Sequence, residues 1–198
     1  MAHSLQKAFR LIESRPATRV IDGYSLLLRE ILRGDAGALD ALGSMLAHGA
    51  GTGMNRCLPL AAACYSAASR ASHLGATYNL ATVLIEGAGI TKDVPKGLRL
   101  LRAADRAGIA EARNYLGYCY RAGRGVSRNA RRGFQLTLQA ARAGAAAAQY
   151  DAGMCLLTGT GVKKDRDAAV TWLSRAAQKG DRRAQAYIAK HVRRRRAR

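Results

Sequence analysis

The chain has 198 residues, of which 48% are apolar and only 6% aromatic. It can therefore bury a hydrophobic core, but alanine must supply much of that core. Its 33 basic and 13 acidic residues give a formal net charge of +20 at pH 7, which favours anionic partners over cationic ones. Residues 1–15 hold no continuous apolar run after a basic start, so neither a secretory signal nor a membrane anchor is expected. The sequence predicts a cytoplasmic protein, although a secreted effector without a cleavable signal would have the same composition.

Residues 1–33 are predicted to form an N-terminal helical cap of two helices. Pro16 separates the two, because proline interrupts a helix. Each helix has one apolar face, as expected for an end unit that covers the neighbouring repeat. The apolar positions are Leu5, Ala8, Phe9 and Ile12 in the first helix, and Tyr24, Leu27, Leu28, Ile31 and Leu32 in the second.

A 36-residue repeat follows the cap. Its clearest mark is a Gly-x-Gly turn, which recurs in register as 87–89, 123–125 and 159–161. A first copy is two residues longer, and the excess lies in the turn around 52–59. The predicted organisation is a cap at 1–33, repeats at 34–73, 74–108, 109–144 and 145–180, and a capping helix with a basic tail at 181–198.

Each copy is predicted to be a pair of short helices. In the third copy, apolar spacing indicates a first helix at about 109–122 and a second at about 130–143. Gly123 ends the first helix, because glycine adopts the left-handed conformation that closes a helix. Asn129 precedes the second and is suited to cap it, as are Asp93 and Asp165. Small residues are expected where helices approach closely, at alanines 104, 112, 140, 148, 176 and 184.

The repeat resembles the Sel-1-like repeat family, a relative of the tetratricopeptide repeat. The resemblance covers about residues 34–189, and it implies an all-α fold, a right-handed α-solenoid (superhelix) of helix-turn-helix repeats. The fourth copy carries most of the family pattern, in Ala148, Ala152-Gly153, Gly159-Thr-Gly161-Val162, Asp165, Ala169, Trp172, Ala176-Ala177 and Gly180.

The resemblance also implies a function. Variable positions on the first helices of such repeats line a concave groove, so the chain is expected to be a non-catalytic scaffold or adaptor that binds a protein partner. An aromatic groove with positive charge at one end suits a partner with an acidic segment; the alternative for each tyrosine is packing between helices. The expected groove residues are Tyr78, Thr82, Asn114, Tyr118, Arg121, Tyr150, Met154, Lys190 and Arg193.

Two basic regions suggest an alternative function, binding of nucleic acid or another polyanion. No acidic residue occurs from Ala112 to Tyr150, and the tail segment 181–198 has eight basic residues against one acid. Scattered basic residues elsewhere are typical of a solvated surface, but unbroken like charge favours an anionic partner. The candidate residues are Arg124, Arg128, Arg131 and Arg132 in the third copy, and Arg194, Arg195, Arg196 and Arg198 in the tail.

No pattern in the sequence indicates catalysis, a cofactor or a metal. Asp40, Ser44 and His48 imitate a hydrolase set, but on one helix the outer two would be about 12 Å apart, with serine rather than histidine between them. The segment 159–165 lacks the spacing of a phosphate-binding loop and follows a helix. The four histidines are too scattered for a metal site.

The cysteines are predicted to be thiols in a reducing compartment. Cys119 and Cys155 occupy the same repeat position, so they should lie on neighbouring helices about 9 Å apart, which is too far for a disulfide. We expect both to be buried as small apolar residues.

Overall fold

The computed structural model describes residues 2–12, 17–49 and 56–196. In these residues the chain forms eleven α-helices and no strand, which confirms the predicted all-α class. No helix among them combines the length and the apolar composition needed to span a bilayer. The helices are α1 Ala2–Ile12, α2 Ala17–Leu32, α3 Ala36–His48, α4 Leu58–Arg70, α5 Leu74–Glu86, α6 Val94–Arg106, α7 Ala110–Ala122, α8 Ala130–Arg142, α9 Ala146–Thr158, α10 Arg166–Gln178 and α11 Arg182–Arg196.

The chain divides into two compact units, Met1–Leu100 (unit 1) and Leu101–Arg198 (unit 2), with the division inside α6. In unit 1, consecutive helices from α1 to α5 pack against one another, and α3 also contacts α5. In unit 2 the same holds from α7 to α11, and α7 also contacts α9. Each unit is therefore a stack of antiparallel helix pairs in which first helices of successive copies are neighbours.

The turn within a copy has the predicted construction. Gly123 follows α7 with a φ of +73°, and its amide donates to the carbonyl of Cys119. The side chain of Asn129 accepts from the amide of Arg132 in the first turn of α8, 2.9 Å away. Asp165 caps α10 in the same way, at 2.9 Å from the amide of Ala168. Caps of this kind satisfy amides that have no partner within the helix.

The second glycine of the turn has a role that the sequence did not reveal. A Cβ on Gly161 would overlap the carbonyl group of Ala130, the first residue of α8. The turn of the fourth copy therefore lies directly against the start of the second helix of the third copy. Gly89 repeats the arrangement in unit 1, where a Cβ would overlap the side chain of Leu58 at the start of α4.

The cores are built from small residues, as the sequence predicted. The six alanines expected at helix contacts have no exposed surface, so neighbouring backbones are separated by single methyl groups. Larger apolar side chains, Leu101 and Leu173 among them, fill the space between. These alanines are 104, 112, 140, 148, 176 and 184.

The N-terminal cap differs from prediction on one helix. Leu27 of α2 is buried as expected, but Leu28 and Leu32 are 53% and 88% exposed. The buried face of α2 instead includes Gly23, packed on Ile12, and Glu30. The Glu30 carboxylate is 2% exposed and accepts a hydrogen bond from Arg33 at 2.9 Å, which satisfies the charge that burial would otherwise penalise.

Candidate functional site

The predicted groove residues of unit 2 lie on three successive first helices, α7, α9 and α11. Asn114 is buried, and its Nδ2 donates to Asp151 Oδ2 at 2.7 Å, so it joins α7 to α9. Unit 1 contains the equivalent bond, from Asn79 Nδ2 to Asp40 Oδ1 at 2.8 Å. Because the bond recurs between first helices in both units, it stabilises the stacking of copies, and Asn114 has little surface for a partner.

Arg121 points towards the second helix of its own copy. Its guanidinium donates to Thr137 Oγ1 and, at 3.5 Å, to the carbonyl oxygen of Gly133. A Cβ on Gly133 would meet the Arg121 side chain, so the arginine stem also packs against α8. Since Thr137 is fully buried, Arg121 satisfies a hydroxyl that would otherwise be unpaired in the core, and its main role is to join α7 to α8.

Two half-buried tyrosines each lie beneath an arginine. The Arg124 guanidinium carbon is 5.1 Å from the Tyr118 ring centroid, and that of Arg183 is 4.1 Å from the Tyr150 centroid. Both distances permit attraction between the cation and the face of the ring. Tyr115 adds a tilted ring 5.5 Å from Tyr118. The tyrosines thus present aromatic surface that is already held in place.

Met154 and Lys190 occupy the repeat position of Tyr118 on α9 and α11. Met154 is half-buried and packs with Tyr150 against a small core that α10 and α11 share. Lys190 is exposed on α11. We define Tyr118, Tyr150, Met154 and Lys190 as the first-helix face of unit 2.

The remaining predicted groove residues lie elsewhere. Tyr78 and Thr82 are half-buried on α5 of unit 1, and the Thr82 hydroxyl donates to the carbonyl oxygen of Asn79 at 2.8 Å. Arg193 belongs to α11, together with Arg194, Arg195 and Arg196. The side chains of these four arginines and all of Arg198 lie outside the described residues.

Sequence reasoning missed the anchor of α11. Asp181 precedes this helix, and its carboxylate accepts from the amides of Arg183 and Ala184 at 3.0 Å and from the Arg183 guanidinium at 2.9 Å. Burial would raise the pKa of Asp181, but these hydrogen bonds and the positive charge of Arg183 together lower it below its ordinary value. An aspartate directly before a helix, with arginine two positions later, was the available signal.

The arginines of the predicted basic cluster in the third copy make different contacts. Arg128 Nε donates to the carbonyl oxygen of Arg121 at 3.1 Å, near the end of α7. In unit 1, Arg56 bonds the carbonyl oxygen of Ala47 at 2.9 Å in the same register, so this contact belongs to the repeat. Arg132 lies 4.4 Å from the ring centroid of Tyr120.

Other cations extend the cluster. Arg131 is exposed on the first turn of α8. Sequence reasoning did not include three exposed cations of the fourth copy, which follow the equivalent turn. These are Lys163, Lys164 and Arg166.

The residues that imitate a hydrolase set have other partners. His48 Nδ1 donates to the carbonyl oxygen of Ser44 at 2.7 Å, and the Ser44 hydroxyl oxygen accepts from Tyr65 at 3.3 Å. Since Asp40 bonds Asn79, the three side chains form no proton relay. In residues 2–12, 17–49 and 56–196, no three His, Cys, Asp or Glu side chains are close enough to hold a metal ion.

All four cysteines are thiols, as predicted. Cys119 and Cys155 are buried, at 0% and 5% exposure. Burial raises the pKa of Cys155 and also that of Cys64, because desolvation disfavours the thiolate. The thiols pack as small apolar groups.

Known proteins resemble this chain over the same repeats. The sequence profile described as Sel1 repeat matches residues 75–108, 110–144 and 146–181, the second to fourth copies, and not the longer first copy. No curated protein sequence matches significantly. Among solved structures, a Sel1 repeat protein from Oxalobacter formigenes shares 27% identity over 94% of this chain and 74% of its own, with a TM-score of 0.71.

Two further structures share the fold at lower identity. An immunity protein from Pseudomonas aeruginosa is 22% identical over 92% of this chain and 67% of its own, with a TM-score of 0.70. A protective antigen of uropathogenic Escherichia coli with an SLR fold is also 22% identical over 92% of this chain; its TM-score is 0.63, and the match spans 39% of its length. The profile covers more than half of the chain, and the helix pairs agree with these structures: the protein belongs to the Sel1 repeat family, whose repeats generally mediate interactions between proteins.

Proposed function

We propose that this protein is a non-catalytic scaffold that holds a protein partner on the first-helix face of unit 2. The observation that carries the proposal is the pair of tyrosines on neighbouring copies, Tyr118 and Tyr150, each half-buried and each beneath an arginine. Tyrosine and arginine dominate the binding energy of protein interfaces, and rings already held in place lose little entropy on binding. Met154, one turn after Tyr150 on α9, adds a flexible apolar contact.

The charge of the surroundings indicates the partner's chemistry. Arg124 and Arg183 lie over the two rings, and Lys190 is exposed on α11. A planar guanidinium can bind a carboxylate through two parallel hydrogen bonds while its face stays on a ring. The partner therefore carries an acidic segment. The four thiols suit a reducing compartment, and we place the complex in the cytoplasm.

Site-specific photocrosslinking in cells tests the face. A photocrosslinking amino acid replaces Tyr118 or Tyr150 in two separate variants, and Gln135 or Gln139, both exposed on α8, in two control variants. We expect positions 118 and 150 to crosslink the same protein, which the α8 positions do not capture. Crosslinks of equal yield from all four positions, or none from 118 and 150, would contradict the proposal.

Alanine variants then measure the contribution of the face. Tyr118→Ala combined with Met154→Ala should weaken binding of the crosslinked partner by roughly 10-fold or more, because central aromatic contacts commonly contribute over 1 kcal/mol. Arg121→Glu is unsuitable for this test, since that side chain joins α7 to α8. Unchanged affinity of the double variant would show that the partner binds elsewhere.

A further inference from the structure

A second surface of unit 2 is strongly basic and adjoins the first-helix face only at Arg124, which lies over the Tyr118 ring. It is formed where first helices end and second helices begin, in the turns of the third and fourth copies. We define its basic residues as the turn edge. They are Arg124, Arg128, Arg131, Arg132, Lys163, Lys164 and Arg166, against two acidic neighbours, Asp165 and Asp167.

The basic turn of the fourth copy is in backbone contact with the basic start of α8 in the third copy. Gly161 is in such close contact with the start of α8 that a Cβ would overlap the carbonyl group of Ala130 and approach the amide of Arg131 at 3.0 Å. Lys163 and Lys164 lie two and three residues after this glycine. The fourth-copy turn therefore brings its lysines next to the arginines that begin α8.

Part of this charge is not neutralised within the protein. Arg131, Lys163 and Arg166 are exposed, and no carboxylate of the described residues pairs with them. Asp165, which is close in sequence, already accepts from the amide of Ala168. Like charges at this density repel one another and create a positive potential that an anionic partner would relieve.

The composition of the turn edge favours nucleic acid over protein. Among the described residues, the exposed large apolar side chains are Leu28, Leu32, Leu60 and Leu74, all in unit 1, so the turn edge offers a protein no exposed apolar anchor. Protein interfaces are depleted in lysine and are built around buried aromatic or apolar anchors. Interfaces with nucleic acid are strongly positive and obtain much of their affinity from phosphate contacts.

We propose that the turn edge binds the phosphate backbone of nucleic acid without reading its sequence. This goes beyond the proposed function, because the partner differs and, apart from Arg124, so do the residues. If both surfaces are occupied together, the protein brings its protein partner to a nucleic acid.

The test compares two variants of the full chain that each lose three positive charges. The turn-edge variant is Arg131→Gln, Lys163→Gln and Arg166→Gln. The control variant is Arg102→Gln, Arg106→Gln and Arg142→Gln, which removes exposed arginines from the second halves of α6 and α8. Fluorescence anisotropy gives the affinity for a labelled 20-nucleotide oligouridylate and a 20-base-pair DNA duplex between about 0.05 and 0.3 M salt, with circular dichroism confirming the fold.

We expect the turn-edge variant to bind oligouridylate roughly 50-fold more weakly at 0.15 M salt. Each single-strand phosphate contact gives a slope of about −0.7 in log affinity against log salt, so one contact contributes roughly 4-fold at that salt concentration. The slope should become shallower by about 2 for the turn-edge variant, and the control should change much less. For the DNA duplex as well, the turn-edge variant should lose more affinity than the control variant.

Three outcomes would overturn the proposal. Equal losses in the two variants would mean that only total charge matters. An unchanged slope in the turn-edge variant would place binding on the tail. Equal affinity for a poly-glutamate of the same charge would indicate an acidic protein segment as the partner. None of these outcomes affects crosslinking from Tyr118 and Tyr150, so this proposal and the proposed function can fail separately.

Discussion

Replacing Gly161 by alanine tests whether the turn of one copy packs on the second helix of the copy before it. Two costs add at this position. The backbone φ of +75° is unfavourable for any residue with a Cβ, by about 1–2 kcal/mol. The new Cβ also overlaps the carbonyl group of Ala130, and relieving such overpacking costs about 1–3 kcal/mol. We expect Gly161→Ala to lower the free energy of unfolding by about 2–5 kcal/mol.

Gly180→Ala is the matched control. Gly180 has a φ of +87°, but a Cβ there would meet no heavy atom within 4 Å. Only the backbone cost of about 1–2 kcal/mol should appear. Urea unfolding followed by circular dichroism measures both variants, and the excess cost of Gly161→Ala is the contribution of the contact between copies. Equal losses would refute the inference that the second glycine exists for this contact.

Three smaller predictions use other positions. Ser72 has a φ of +63° where the equivalent residues are glycines, so Ser72→Gly should raise the free energy of unfolding by about 0.5 kcal/mol in urea titrations; a loss would contradict this. The pKa of Asp181 is lower in the folded state than in the unfolded state, so its ionised carboxylate stabilises the fold at pH values above its unfolded-state pKa of about 3.9. This stabilisation is lost as the pH falls through the folded-state pKa. The urea midpoint should therefore fall less between pH 5 and pH 3 in Asp181→Asn than in the natural chain. An equal fall of the midpoint in the two proteins would contradict this prediction. Half-buried Cys57 should react first with a thiol reagent at pH 8, with Cys64 and Cys155 reacting only on unfolding; rapid labelling of either buried thiol would show that the core opens.

The parts of the fold that were predictable from sequence are those that depend on local chemistry. Glycines after first helices and the caps Asn129 and Asp165 act through their own backbone or through amides three residues away. Buried alanines are equally predictable, because they recur at fixed positions in every copy. In the cap, where no repeat guided the prediction, Leu28 and Leu32 were wrongly placed on the buried face of α2, and both are exposed.

The candidate site was less predictable because it depends on side-chain direction. Asn114 and Arg121 occupy groove positions in sequence, but one bonds the next first helix and the other bonds its own second helix. Helical spacing determines where a Cβ lies, but it does not determine which neighbouring group a long polar side chain will bond. The stacking of Arg183 on Tyr150 joins residues 33 positions apart, and no local pattern indicates it.

Comparing the copies with one another separates structural from functional residues. One polar link recurs at the same spacing of eight residues, between a second helix and the following first helix, and a contact present in several copies is needed for stacking. Its members are Ser69 with Thr77, Asp105 with Arg113, the carbonyl of Ala141 with Gln149, and that of Ala177 with Gln185.

The same comparison applies to the basic residues. Arg128 repeats the backbone contact of Arg56, so its charge alone is no sign of a binding role. Arg131 and Lys163 make no such contact, and packing within a copy does not explain them. Neither repeat geometry nor pairing accounts for the positive charge at these two positions, and residues of this kind are where a partner should be sought. For this reason the turn-edge variant replaces Arg131, Lys163 and Arg166 and leaves Arg128 unchanged.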